Sequence, residues 1–218
     1  STYFKNNFKE LGFENINFSS NNNFSFTIDK KFKFSKINIK SKINLKKLNY
    51  SLNEPDLKNY LPNYKGLFEF NDHEIELVIN KDKLSFIGKG HFIIDKISDK
   101  IDYNIQLKDD DYIFKTKIRF NNNSLLINFL NYKKDKNKDS LLSIDAILKK
   151  DRKIFFKKIS FKESKNQFFI KNLNLNKNFK IEYFDNLGLN FLNKNKIKNQ
   201  IYLKKNKKNY EINGKSFD

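Results

Sequence analysis

A chain of 218 residues can build one large domain or two small ones around a sizeable core. Its mean hydropathy of −0.75 and the lack of any run approaching ~20 apolar residues exclude an ordinary membrane-spanning helix. With no cysteine, and with His73 and His91 as its two histidines, it has no disulfides, thiol nucleophiles or Cys/His zinc centres.

The net charge of +19 points first to nucleic acid, but of 44 basic residues only Arg119 and Arg152 are arginine. Bidentate contacts to bases and phosphates favour the planar guanidinium, so nucleic acid is not the partner expected and the dispersed lysines read as a solvated face. Lys, Asn, Ile and Phe are abundant while Ala146 is the sole alanine, the signature of an A+T-rich coding sequence. The start at Ser1 and the stop at Asp218 suggest a piece of a longer chain, with any leader or anchor outside it.

Taken in chain order, the apolar residues alternate with period two, the pattern of half-buried strands. Ile37, Ile39, Ile43 and Leu45 come first. Residues 53 to 65 hold Pro55 and Pro62 in a segment suited to a helical turn, the expected seam between a strand group over 1–65 and a main region over 66–218. Strands then follow at Ile75, Leu77, Ile79; Leu84, Phe86; Phe92, Ile94; Ile101, Tyr103, Ile105, Leu107; and Tyr112, Phe114, Ile118, Phe120. Further on come Leu142, Ile144, Ala146, Leu148; Phe179, Ile181, Tyr183; Leu187, Leu189, Phe191; and Tyr210, Ile212. Polar breaks at 108–111, 121–123, 133–139 and 163–166 read as hairpin turns, giving an antiparallel meander. In Leu125–Leu130, Ile154–Phe156 and Phe168–Ile170 both parities are apolar, which requires two-sided burial or a bulge.

Thirteen or fourteen such strands make a sheet ~30 Å wide and ~60 Å long with one apolar face, too large to stay flat and open. That face is hidden by folding into a sandwich, by turning outward to lipid as a barrel, or by curling into a half-pipe. With 6 glycines and 2 prolines the turns of a sandwich are thinly supplied, and with no tryptophan the aromatic girdles of a membrane barrel are weak. The fold expected is therefore all-β: a long antiparallel sheet curled into a half-pipe, with a β-sandwich as the alternative.

Chemistry-bearing clusters are sparse. Asp109, Asp110 and Asp111 lack calcium-loop spacing and read as a charged turn. His73 and His91 lack partners at ligand or triad spacing, Gly88-Lys89-Gly90 sits inside an alternating run, and Glu74/Glu76 merely share a strand face. No catalytic residue, metal or cofactor is assigned, and a non-enzymatic protein is expected.

The runs Leu84-Ser85-Phe86-Ile87-Gly88-Lys89-Gly90 and Ile101-Asp102-Tyr103-Asn104-Ile105, with the closing phrase Tyr210-Glu211-Ile212-Asn213-Gly214-Lys215-Ser216-Phe217-Asp218, resemble the repetitive β-rich region of AsmA-like bacterial envelope proteins, of the YhdP and TamB type. The likeness spans residues 66 to 218. It implies a periplasmic protein, anchored in the inner membrane by a segment outside this chain, whose adjacent repeats stack into a groove shielding phospholipid acyl chains between the two membranes. Strand parity assigns the lining of such a groove to Ile75, Leu77, Ile79, Phe86, Ile101, Tyr103, Ile105, Phe114, Ile118, Phe120, Ile144, Leu148, Ile181 and Tyr183. The competing reading is a structural or adhesin-like module that binds another protein through a sheet edge.

Overall fold

The computed structural model describes residues 12–80, 83–207 and 209–216. Residues 1–11 of the expected N-terminal group, and Phe217 and Asp218 of the closing phrase, lie outside them. The chain is all-β, with 70% of the described residues in strands and 4% in helix. In chain order the strands are β1 (Phe13–Ile28), β2 (Phe34–Ser51), β3 (Leu67–Asn80), β4 (Lys83–Ile94), β5 (Ile97–Lys108), β6 (Asp111–Arg119), β7 (Leu125–Ile127), β8 (Tyr132–Lys134), β9 (Ser140–Leu148), β10 (Ile154–Glu163), β11 (Asn166–Leu175), β12 (Ile181–Tyr183), β13 (Asn186–Leu192), β14 (Lys198–Asn206) and β15 (Asn209–Ser216). One short helix, α1 (Leu57–Tyr60), lies in the β2–β3 connection.

Thirteen strands form one antiparallel meander, in the order β1-β2-β3-β4-β5-β6-β9-β10-β11-β13-β14-β15 with β12 beside β11. The sheet does not close into a barrel, and the second sheet is only the β7–β8 hairpin, so the molecule is an open sheet and not a sandwich. β2 and β3 pair from Ile39↔Ile79 to Ser51↔Leu67, so the sheet runs unbroken across the proline-bearing connector.

Register explains the apolar face. Directly opposed residues share a face, and a slip of one residue would flip a whole strand. One row runs Ile43, Ile75, Gly88, Tyr103, Thr116, Ile144, Ile159, Ile170, Leu187, Leu203 and Ile212 from β2 to β15. The parallel row two residues along carries Leu77, Phe86, Ile105, Phe114, Ala146, Phe156 and Leu173. At Ile154–Phe156 the register is unbroken and Phe155 lies on the opposite face, across from Ile147, so both faces are partly buried there; the pairing of β10 with β9 shifts only beyond it, between Phe156 and Lys158, which returns Ile159 and Phe161 to the face of Ile154 and Phe156. At Phe168–Ile170 it is two-sided burial, with the Phe169 ring on the opposite face where Gly188 leaves room; a Cβ there would lie 2.3 Å from the ring.

The ends of the sheet differ. The end bearing the β2–β3 connection also holds the β6–β9 insert, and both cover the apolar face. Tyr64 and the α1 segment pack with Phe68, Phe92, Ile94, Ile101 and Phe120, while Leu130 and Tyr132 of the insert pack with Phe161, Phe168 and Phe191. The polar breaks at 121–123 and 133–139 are thus the two flanks of an insert rather than hairpin turns, and Leu125–Leu130 carries apolar residues in both parities because Leu125 touches both clusters while Ile127 and Leu130 pack in the second. At the opposite end the strands are joined by short turns, including 29–33, 109–110, 149–153 and 176–180.

Candidate functional site

Twelve of the fourteen residues assigned to a lining lie on the face just described. Ile75, Tyr103 and Ile144 share one row; Leu77, Phe86, Ile105 and Phe114 the next; Ile79 and Leu148 the one beyond; Ile101 and Ile118 lie on the other flank, with Phe120 past them. Ile75, Ile101 and Phe120 are buried, and the other nine are half-buried. Ile181 and Tyr183 stand apart on the three-residue β12, 64% and 38% exposed. The lining assignment left out Leu142, Phe161, Phe168 and Leu189, which continue the Ile101 row across to β13.

The inserts leave much of this face uncovered. Neither hydrophobic cluster includes Leu77, Ile79, Phe86, Ile105, Phe114, Ile144 or Leu148. These side chains form an apolar lane across the strands, flanked on one side by the inserts and on the other by the short turns.

The sheet also carries a hollow of about 910 Å³ spanning β2 to β10. Its side chains come chiefly from the polar parity, among them Lys42, Glu76, Lys89, Asp102, Lys115, Asp145 and Lys158, and Ile75, Tyr103 and Ile144 border it from the row between. Charges of both signs are interspersed there, with Glu74–Lys89 paired at 3.0 Å. Alternation along the strands gave no sign of this concavity, which arises from the bending of the sheet.

A polar cluster interrupts the apolar face. His73 follows Asp72, whose φ of 51° marks a shift in the β3–β4 register. Its ring lies over Gly90, where a Cβ would come within 2.8 Å of the His73 Cα, so only glycine fits. Nε2 of His73 faces the His91 carbonyl at 3.0 Å, which only accepts, so Nε2 carries the proton and Nδ1 accepts from the Tyr103 hydroxyl at 3.0 Å. Burial pushes the Tyr103 hydroxyl up to about 12. Burial also holds His73 below its ordinary value, outweighing the His91 carbonyl and Asp72, which both favour the charged form. Stability should therefore be full above pH 6.5 and fall as pH drops below it, because the unfolded chain then takes up a proton that the folded His73 refuses. Urea midpoints measured from pH 7.5 to 5 should show this slope, and His73→Gln should flatten it.

A second buried cluster ties down the insert. Asp99, 2% exposed, accepts from the backbone N–H of Asn122 and Asn123 and from the Asn123 side chain, at 2.8, 3.1 and 2.9 Å. Lys134, fully buried, donates to the carbonyls of Asn121 and Asn123. Desolvation lowers its proton affinity, against the pull of Asp99 and Glu163. Tyr132 donates to Glu163 at 2.7 Å, and burial raises its hydroxyl well above the usual range. Each of these groups serves packing of the insert. Among the described residues no group of three or more acidic or histidine side chains is placed to hold a metal, and no helix is long and apolar enough to cross a membrane.

No protein-family model, curated protein or solved structure matches the chain.

Proposed function

We propose that this chain is a non-catalytic segment of an envelope protein that shields phospholipid acyl chains on the uncovered apolar lane and lets them pass along it between membranes. The observation that supports this reading is the lane itself. Leu77, Phe86, Ile105, Phe114, Ala146 and Phe156 follow one another across six strands at ~4.8 Å spacing, perpendicular to the chain direction, outside both hydrophobic clusters. Such a lane offers continuous apolar contact and no polar group strong enough to hold a lipid at one place. Transfer of each methylene from water is worth about 0.8 kcal/mol, so acyl chains bind without a dedicated pocket. The periplasmic, inner-membrane-anchored setting and stacking on adjacent repeats belong to the same proposal.

Native mass spectrometry of the chain purified from a bacterial host, with lipid extraction of the same sample, tests it. Phospholipid at defined stoichiometry is expected, reduced at least tenfold by Ile105→Asp with Phe114→Asp, since each places a charge in the apolar lane. A stable, lipid-free monomer would overturn the reading in favour of a protein contact made by the sheet.

A further inference from the structure

Four turns of one five-residue design close hairpins of the main sheet. In Asp29–Lys33 the first residue's N–H donates to the fifth carbonyl at 3.1 Å and the fourth N–H donates to the first carbonyl at 3.0 Å. Asp29 Oδ1 also accepts from the N–H groups of Lys31 and Lys33. Asn176–Lys180 and Asn193–Ile197 repeat every one of these bonds, and Lys149–Lys153 shares the backbone pair. The fourth residue is left-handed each time: Phe32 at φ 57°, Arg152 at 65°, Phe179 at 58° and Lys196 at 63°. That conformation favours glycine or asparagine and is costly for a bulky aromatic ring. Yet two of the four positions hold phenylalanine, 84% and 69% exposed. Phe32 and Phe179 stand at the same end of the sheet, with the Arg152 turn between them, opposite the end closed by the inserts.

The β1–β2 hairpin carries the feature further. Pairing of β2 with β3 starts only at Ile39, so Phe34–Asn38 and the facing part of β1 project beyond the neighbouring strand. On this ribbon Phe26, Ile28 and Phe34 are 46% to 62% exposed, with Phe24 beside it 71% exposed, and the rings of Phe26 and Phe34 meet at 5.1 Å. A two-stranded ribbon with a bare aromatic face is marginal in water. Lys30, Lys31, Lys33, Lys177 and Lys180 flank the two apical rings, and none lies within ion-pair distance of a carboxylate among the described residues.

We propose that this end of the sheet docks on the surface of an anionic phospholipid bilayer, with Phe32 and Phe179 entering the interface and the flanking lysines meeting lipid phosphates. Aromatic rings beside unpaired lysines are the combination that an acidic lipid surface rewards, because the rings leave water as the ammonium groups meet phosphate. The proposal stands apart from acyl-chain shielding: it concerns a bilayer surface and the turns, not single lipids on the sheet face.

Flotation of the full chain with phosphatidylcholine vesicles, with and without phosphatidylglycerol, tests it against the Phe32→Asn/Phe179→Asn double variant. Asparagine suits the left-handed position, so the variant should melt at or above the wild-type temperature, and its charge is unchanged. Binding to the phosphatidylglycerol vesicles is expected to weaken at least about tenfold, while Lys136→Glu/Lys138→Glu, at the insert end, binds as wild type. Failure of the wild type to bind, equal binding by the double variant, or equal loss in the insert-end variant would overturn the proposal, the last two by assigning binding to net charge alone. Retention of single-stranded RNA that is lost with the same two phenylalanines would also overturn it. Co-purifying lipid should be unaffected by the double variant, which separates this outcome from the fate of the lane.

Discussion

Asp99→Ala is expected to destabilise the fold by about 3 kcal/mol and to release the insert that covers one end of the apolar face. The carboxylate is 2% exposed and meets three N–H donors and no other acceptor. An acceptor-only group fits that environment, so Asp99→Asn is no rescue: one of its two terminal atoms would present N–H to N–H. Alanine leaves the amides of Asn122 and Asn123 unmet, and it takes away the strongest favourable charge acting on the buried Lys134 ammonium. Lys134 reaches the carbonyls of Asn121 and Asn123 and lies 5.5 Å over the Phe120 ring, so the loss spreads through the whole flank of the insert. Chemical unfolding should show the drop, and hydrogen exchange should place it over residues 121–134. Pairing Asp99→Ala with Lys134→Met should cost less than the sum of the single changes, because the double variant leaves no lone buried charge.

How much of this was legible in the sequence depends on what kind of information each feature needs. The meander and its apolar face were legible, because alternation at Ile75–Ile79, Ile101–Leu107 and Leu142–Leu148 is a local consequence of the pleat. The antiparallel order followed from short polar breaks, as at 108–111, where β5 turns directly into β6. The insert was not legible. Leu125–Leu130 has no period, and its partners, Phe68 and Phe92 on one side and Phe168 and Phe191 on the other, are distant in the chain. β1 escaped notice because Asn21, Asn22 and Asn23 break its apolar pattern at mid-strand, where they pair with Lys42, Ser41 and Lys40. The turns at Phe32 and Phe179 were hidden for the opposite reason: phenylalanine is not a turn residue, and only the structure reveals its left-handed backbone. The hollow depends on how the sheet curves across β2 to β10, which alternation along single strands does not encode.

Phe168→Ala is expected to cost about 3–5 kcal/mol, and the loss should be confined to one half of the sheet. The ring is buried, stacks on Phe191 at 5.2 Å, meets Tyr132 edge-on at 4.7 Å and tilts against Phe161 at 6.0 Å. Removing it opens the centre of the cluster formed by the insert, β10, β11 and β13. The other cluster, built on Tyr64, Phe68 and Phe92, shares none of these residues; partly buried Leu125 touches both. Each strand of the meander pairs only with its neighbours, so stability is carried locally, as in a repeat array, and two cores joined by one leucine make two cooperative units. Wild-type denaturation followed by hydrogen exchange should accordingly resolve β3–β5 from β10–β13. Phe168→Ala should move only the second group to lower denaturant, and Phe92→Ala only the first. A single transition in which both groups shift together in both variants would mean that the sheet backbone, and not the two clusters beneath the inserts, sets the cooperative unit.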